Sequence, residues 1–166
     1  MANATTSEKQ ETIDKLRDVV KGIRMAMLTT THGGRLVSRP MSTQEMSPTG
    51  MVWFLTSAES DVAKEINMNP WVNIAYADTG AESYVSISGA AKIKNDRAQI
   101  KEFWKEFYKA WFDGPDDPTI RVIEIDSVSA EYWTTKGGKI VSLVSAALSA
   151  LTGKDMEAGE NKKISL

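Results

Sequence analysis

The chain lacks cysteine altogether and has a single histidine, His32, among its 166 residues. Without thiols there is no disulfide framework, no thiol nucleophile and no cysteine-bound metal. One histidine cannot by itself build a zinc site, and a serine–histidine–aspartate triad would rest on it alone. His32 precedes two glycines, so we expect it in a solvated turn. The sequence therefore predicts no metal site, and the absence of cysteine agrees with a reducing cytoplasm.

The chain also lacks an excess of charge of either sign and a long apolar run. Its 20 basic and 22 acidic residues give a net charge of −2, which offers no basic field for nucleic acid or an anionic membrane surface. The longest apolar stretch, residues 140–151, is about a dozen residues and too short to span a bilayer. No secretory signal is visible in residues 1–10. We expect a cytoplasmic protein that binds neither nucleic acid nor membranes.

The length predicts one domain, over residues 1–152. Helical periodicity predicts a first helix over about 7–22, and strands and turns fill about 25–134. A helix is predicted over 139–151 that is apolar nearly all round, which indicates that a partner subunit covers it. The polar residues 153–166 predict a flexible tail.

Alternating apolar residues and regular turns predict six or seven short strands, mostly antiparallel. Residues 25–31 and 35–41 form a hairpin, while Gly89 interrupts a later strand and indicates a bulge or a close approach of backbone. Residues 96–111 carry aromatic side chains at helical spacing and predict one helix laid over the sheet. Two further strands are predicted, separated near Ser127. The fold class is α+β, mainly β, with the strands in a small closed or split barrel.

One stretch combines a buried strand, a hydroxyl-rich loop and a helix. Residues 53–56 read as the end of the strand, Ser57 and Ser60 lie in the loop, and Pro70 stops the helix. The N–H groups at such a helix start suit a phosphate, although the same serines also serve as ordinary helix caps. Both interpretations stay open on this pattern alone.

Two cations lie where they could complete an anion site. Arg39 belongs to a Ser-Arg-Pro sequence in mid-strand, an unusual place for a purely solvated charge, and it can bind a phosphate through two N–H groups. Lys64 lies one turn into the helix. No Walker or dinucleotide glycine motif and no cluster of catalytic residues accompanies them.

Several segments in order resemble the pyridoxamine 5′-phosphate oxidase-like family of flavin-binding split barrels, and within it the general stress protein 26 group. The resemblance covers about residues 10–152. Its segments are LVSRPMS at 36–42, VWFLTSAES at 52–60, EINMNP at 65–70, YVSISGAAKI at 84–93, WFDGPDDPTIRVIEI at 111–125 and AEYWTTKGGKI at 130–140.

The resemblance implies a six-stranded antiparallel split barrel with flanking helices, a homodimer, and FMN in preference to FAD in a groove between the subunits. It matches Ser38, Arg39 and Pro40 to the strand whose arginine contacts the phosphate, and Phe54, Leu55 and Thr56 to the strand whose backbone and hydroxyl line the isoalloxazine ring. Ser57 and Ser60 match the phosphate loop, and Trp133 matches an aromatic residue near the flavin or the subunit contact. Lys64 is included in the candidate site because of its position one turn into the helix.

Two departures from the family's vitamin B6 enzyme argue against pyridoxamine phosphate oxidation. That enzyme has Ser-Arg-Lys in its phosphate loop, where this chain has Ser60-Asp61-Val62, and the Arg-x-His segment that follows its tryptophan is missing here. The leading hypothesis is a flavin-binding stress protein, with low oxidoreductase activity on a small molecule that the sequence does not name. The alternatives are a non-catalytic flavin sensor or carrier, or a split barrel that binds deazaflavin, haem or a protein partner.

Overall fold

The computed structural model describes residues 6–44, 46–134 and 160–165, and within these a sheet of seven strands with three α-helices and one 3₁₀ helix. In chain order the elements are α1 Thr6–Val20, β1 Met25–His32, β2 Arg35–Ser42, β3 Met51–Ser57, α2 Asp61–Met68, β4 Trp71–Asp78, β5 Ser83–Lys94, α3 Arg97–Phe103, the 3₁₀ helix Glu106–Ala110, β6 Ile120–Thr134 and β7 Glu160–Ser165.

Six of the strands form the split barrel that the sequence predicted. They lie in the order β2-β1-β4-β5-β6-β3, and all neighbouring pairs are antiparallel. The two end strands, β2 and β3, approach each other beyond the end of β2, where an isolated bridge joins Thr43 to Phe54. The barrel is therefore nearly closed at one point and open along the rest of the β2–β3 gap.

Two apolar clusters cover the two faces of β3. Phe54 is fully buried in the larger cluster, inside the curled sheet with Leu28, Ile74 and Ile87. Leu55 faces the other way, into a smaller cluster that contains Ile100 and Tyr108. Because successive side chains of a strand point to opposite faces, β3 is buried on both sides, and its position in the fold is firmly set.

The aromatic segment after β5 is not the single helix that its periodicity predicted. Helix α3 ends at Phe103, and Trp104 and Lys105 have extended backbone angles, with ψ of 132° and 146°, before the 3₁₀ helix begins. Aromatic side chains lose rotamer freedom in a helix, so the helical propensity of this segment is low and the helix is easily interrupted. The break lets Tyr108 reach the β2–β3 connection, where its hydroxyl accepts a hydrogen bond from Gln44 Nε2 at 2.6 Å.

The last strands also differ from the prediction. Residues 120–134 form one continuous strand, β6, instead of two strands, and the pairing of β5 with β6 shifts between Ser88 and Gly89. The bulge indicated by Gly89 is thus confirmed. Part of the predicted flexible tail, Glu160–Ser165, is a strand that pairs with β6, because β6 has an edge free to accept it. The predicted helix over 139–151 lies outside the described residues.

Within the described residues, no helix combines the length and the apolar character needed to cross a membrane.

Tyr76 makes the fold sensitive to alkaline pH. Its side chain is 2% exposed, and burial raises the pKa of its hydroxyl to about 12, with a hydrogen bond from Thr43 opposing the shift. The unfolded value is about 10, so the folded state holds this proton more tightly, and the resulting stability is complete below pH 10 and lost between pH 10 and 12. We expect the loss to reach about 2–3 kcal/mol. Urea denaturation at a series of alkaline pH values measures it.

Tyr76→Phe is expected to remove this part of the alkaline loss. Tyr84→Phe is the matched control, because Tyr84 lies on the exposed side of the neighbouring strand. Equal alkaline sensitivity of the wild type and Tyr76→Phe would contradict the assignment.

Candidate functional site

A buried carboxylate joins α2 to the β1–β2 hairpin. Glu65 shares the buried side of α2 with Val62 and Ile66 and is only 3% exposed. Its Oε2 accepts hydrogen bonds from Arg39 Nη2 at 2.6 Å and from Thr30 Oγ1 at 2.5 Å. On the other side, Oε1 lies 3.1 Å from Nδ1 of His32. We call Thr30, His32, Arg39 and Glu65 the Glu65 network.

Arg39 is the central cation of this network. Besides its bond to Glu65, its Nη1 donates to Thr30 Oγ1 at 2.7 Å. Its side chain remains 21% exposed, so it is partly accessible from outside. Arg39 is therefore fixed by two acceptors on neighbouring elements and is not a freely solvated strand residue.

The Glu65 carboxyl is ionised at neutral pH in spite of its burial. Burial raises its pKa, but the hydrogen bonds from Thr30 and Arg39 and the positive charge of Arg39 outweigh this effect, so the pKa lies below the usual range. The charges of Glu65 and Arg39 consequently compensate each other inside the site.

The loop before α2 is a well-formed helix cap. Ser60 Oγ accepts a hydrogen bond from the backbone N–H of Ala63 at 3.2 Å and donates to the carbonyl of Ser57 at 2.7 Å. It also lies 2.8 Å from Thr56 Oγ1. The predicted capping role of Ser60 is therefore confirmed, and its hydroxyl is engaged within the chain.

Arg39 and the serine loop lie at the same end of the β2–β3 gap. If the antiparallel register of the Thr43–Phe54 bridge is continued along β2, it sets Arg39 opposite Ala58, in the middle of that loop. Glu65, which Arg39 contacts, follows the cap residue Ser60 by about 7.5 Å along the helix axis. The Arg39 side chain is bonded to Thr30 and Glu65, and not to Ser57 or Ser60.

The other predicted residues on β2 and α2 face elsewhere. Ser38 and Pro40 lie on the outer face of β2, where Ser38 accepts a hydrogen bond from Thr29 at 3.0 Å and Pro40 is opposite Met27. Lys64 is exposed and is no part of the Glu65 network. These three residues are accessible to a ligand, but the structure does not bring their side chains together with that of Arg39.

The side chains of Phe54 and Leu55 are buried in the two apolar clusters, at 0% and 6% exposure. A ligand in the β2–β3 gap can therefore reach only their backbone groups. The next residue, Thr56, is 6% exposed, and its hydroxyl lies 2.8 Å from Ser60 Oγ. The resemblance to flavin-binding split barrels likewise assigns the backbone of this strand to the isoalloxazine ring.

Trp133 lies on the outer face of the sheet, apart from the Glu65 network. It is 37% exposed and pairs across the strands with Tyr84. Both line a shallow, largely apolar cleft of about 320 Å³, together with Met25 and Met27 of β1 and Ala75 of β4.

Sequence reasoning missed Thr30 and Glu65. An acidic residue in a short helix is usually predicted to be exposed to solvent. Glu65, however, follows Val62 by three positions and directly precedes Ile66. That spacing puts it on the apolar side of α2, which was a usable signal. Thr30 carried no comparable signal, because its environment comes from α2.

Within the described residues, no group of three or more histidine, cysteine, aspartate or glutamate side chains is arranged to hold a metal ion.

Residues 11–157 match the sequence profile of a family described as pyridoxamine 5′-phosphate oxidase like. General stress protein 26 of Bacillus subtilis is 33% identical over 121 residues, which cover 71% of this chain and 85% of that protein. A crystal structure from Jannaschia sp. CCS1, assigned as general stress protein 26, superposes with a TM-score of 0.74 at 29% identity and covers 94% of this chain and 99% of that one. The general stress FMN/FAD binding protein of Xanthomonas citri has a TM-score of 0.65 at 27% identity, covering 81% and 94%.

Proposed function

Because the chain belongs to the pyridoxamine 5′-phosphate oxidase-like family, we propose that it is a flavin-binding protein of the general stress type, with FMN preferred to FAD. The relative from Xanthomonas citri, by its name, binds FMN or FAD. The observation that carries the proposal is the fixed, partly exposed Arg39, which is bonded to Glu65 in α2, about 7.5 Å along the helix from its cap. A phosphate needs such a cation together with backbone N–H groups.

The residues present fit a flavin phosphate at this place. Arg39 has five N–H donors, and its two bonds to Thr30 and Glu65 leave three of them for a ligand. Ser57 is the last residue of β3 and Ser60 caps the helix. Asp61, in the first turn, is exposed and has room to face solvent.

The gap between β2 and β3 suits the ring. Edge strands present N–H and C=O groups that have no partner in the sheet, and an isoalloxazine ring needs flat contact together with such hydrogen bonds. Residues 39–42 and 55–57 border this gap beyond the Thr43–Phe54 bridge. We assign to the ring the backbone of Leu55 and of Thr56, since the Thr56 hydroxyl is buried against Ser60.

A bound flavin supplies hydride and electron transfer itself. The chain then has to hold the cofactor, orient it and limit access of water. On this basis we propose a low-activity oxidoreductase that acts on a small molecule. A flavin sensor or carrier without turnover is the second candidate, because Glu65, the carboxylate in contact with Arg39, is held by hydrogen bonds within the chain. Steady NAD(P)H oxidation by the flavin-loaded protein would favour the enzyme.

The homodimer is proposed to form through the outer face of the sheet. Large apolar side chains are exposed there on adjacent strands and line one cleft: Met25 at 52%, Met27 at 42%, Tyr84 at 42% and Trp133 at 37%. A contiguous apolar patch of this kind marks an interaction surface. A second copy of the chain on this face would place Trp133 at the subunit contact, as the resemblance implies.

Met27→Asp is expected to convert the dimer to a monomer, because it sets a charge in the centre of this face. Size-exclusion chromatography with light scattering measures the mass, and circular dichroism checks the fold. Trp111→Asp is the matched control, since Trp111 is 70% exposed but follows the 3₁₀ helix and is not among the residues that line the cleft. A monomeric wild type would refute the proposed dimer, and with it a groove formed between subunits.

The cofactor proposal is tested first by the visible spectrum of the purified protein and by titration of the apoprotein with FMN. Flavin absorption bands, or quenching of FMN fluorescence at stoichiometric protein, are the expected results. A colourless protein that does not bind FMN would overturn the proposal and favour deazaflavin, haem or a protein partner.

A further inference from the structure

The burial of Glu65 calls for an explanation beyond stability. Acidic side chains are almost never fully buried unless they are paired, and Glu65 is 3% exposed. A buried ion pair contributes little compared with apolar residues of the same volume, because desolvation of both charges offsets their attraction. The bond between Glu65 and Arg39 is therefore better explained as a contact that orients the Arg39 guanidinium.

The Glu65 network fixes the plane of the Arg39 guanidinium. Its two terminal nitrogens are held by separate acceptors, Nη1 by Thr30 at 2.7 Å and Nη2 by Glu65 at 2.6 Å. A planar group held at two points cannot rotate, while its remaining N–H groups stay aimed in fixed directions. A phosphate is bound best by two such N–H groups at once. We propose that Glu65, together with Thr30, is a positioning residue that orients Arg39 toward the phosphate of the flavin, a role that rests on the proposed function.

The arrangement also keeps the carboxylate from opposing the phosphate. Oε2 of Glu65 accepts hydrogen bonds from Arg39 and Thr30, and Oε1 lies 3.1 Å from Nδ1 of His32. The negative charge is thus held against the Arg39 cation and the Thr30 hydroxyl of the hairpin instead of facing a ligand. Since the charges of Glu65 and Arg39 compensate, the site selects phosphate by the direction of its donors more than by net charge.

Glu65→Gln tests the proposal, because the amide keeps the size of the side chain and one oxygen acceptor but loses the charge. FMN and riboflavin share the ring and the ribityl chain and differ in the phosphate, so their dissociation constants separate the phosphate contact from the rest of the site. We expect Glu65→Gln to weaken FMN binding by about tenfold, the lower end of the loss seen when a hydrogen-bond partner of a metal ligand is removed. Riboflavin binding is expected to stay within about twofold, since it makes no phosphate contact.

Two further variants keep the test decisive. Glu124→Gln removes a partly buried carboxylate that pairs with Lys94 at 3.0 Å in another part of the sheet, and it is expected to leave the FMN-to-riboflavin ratio unchanged. If Glu65→Gln does not fold, Thr30→Val removes one of the two acceptors of Arg39 with little change of shape. It is expected to lower FMN affinity alone, and by less.

The outcomes distinguish this inference from the proposed function. Equal weakening of both flavins by Glu65→Gln would show a purely structural role and overturn the inference, and stronger FMN binding would show that the carboxylate opposes the phosphate. If the wild type binds neither flavin, the proposed function itself fails, and the positioning role of Glu65 fails with it.

Discussion

Arg39→Ala is expected to lower the affinity for FMN by about 10–100-fold, because a hydrogen bond to a charged group is worth about 1.5–3 kcal/mol. Riboflavin is expected to bind nearly as well as it does to the wild type, since it lacks the phosphate that Arg39 contacts in the proposed site. Fluorescence titration of the two flavins measures both constants. Arg35→Ala is the matched control, because Arg35 opens the same strand and is exposed.

The same substitution leaves the buried Glu65 carboxylate without its cation. Removal of one partner of a buried pair costs about 3–5 kcal/mol, so Arg39→Ala is also expected to unfold at a lower urea concentration. The double variant Arg39→Ala/Glu65→Gln removes the unpaired charge and is expected to recover most of that stability without recovering FMN affinity. Recovery of FMN binding in the double variant would contradict a direct contact between Arg39 and the phosphate.

Gly89→Ala is expected to destabilise the fold by about 3 kcal/mol, the upper end of the usual cost of overpacking, because the atoms it meets are rigid. A Cβ at position 89 would lie 2.3 Å from the carbonyl oxygen of Asp126 and 3.0 Å from Ile125 Cγ2. The first of these atoms belongs to the backbone of β6 and cannot turn away. The β5–β6 bulge would have to open, and urea denaturation followed by circular dichroism measures the cost.

Gly80→Ala provides the comparison for this result. Its Cβ would meet only the end of the Asp78 side chain, at 3.2 Å, and a change within about 0.5 kcal/mol is expected in an exposed loop. If Gly89→Ala were as mild as Gly80→Ala, the close approach of β5 and β6 would not be a constraint on the fold.

Local patterns predicted those parts of the fold that depend on local chemistry. The β1–β2 hairpin follows from alternation around Gly33 and Gly34, which both have positive φ, and the bulge follows from Gly89. The break after Phe103 was not predictable in this way, because it depends on the contact of Tyr108 with Gln44, far away in the sequence. Tertiary contacts override a periodic pattern where propensity is weak.

The same distinction between local patterns and tertiary contacts applies to the residues of the candidate site. Arg39 was identified because a charge in mid-strand is conspicuous, and Ser60 because cap residues follow simple rules. Glu65 and Thr30 were missed, since only the packing of α2 on the hairpin makes one an ionised buried group and the other its donor. Residues that orient a functional side chain are chosen by their neighbours in space, and those neighbours come from different elements.

The strand order has a consequence for how the chain reaches this structure. Strands β1 and β2, and likewise β4 and β5, follow each other directly and can pair early as hairpins, whereas β3 pairs with β6 across a loop that contains α2, β4, β5 and α3. Closing so long a loop is slow, because its entropy is lost before the contacts form. The strand that borders the proposed ring site is therefore expected to be among the last to join during folding.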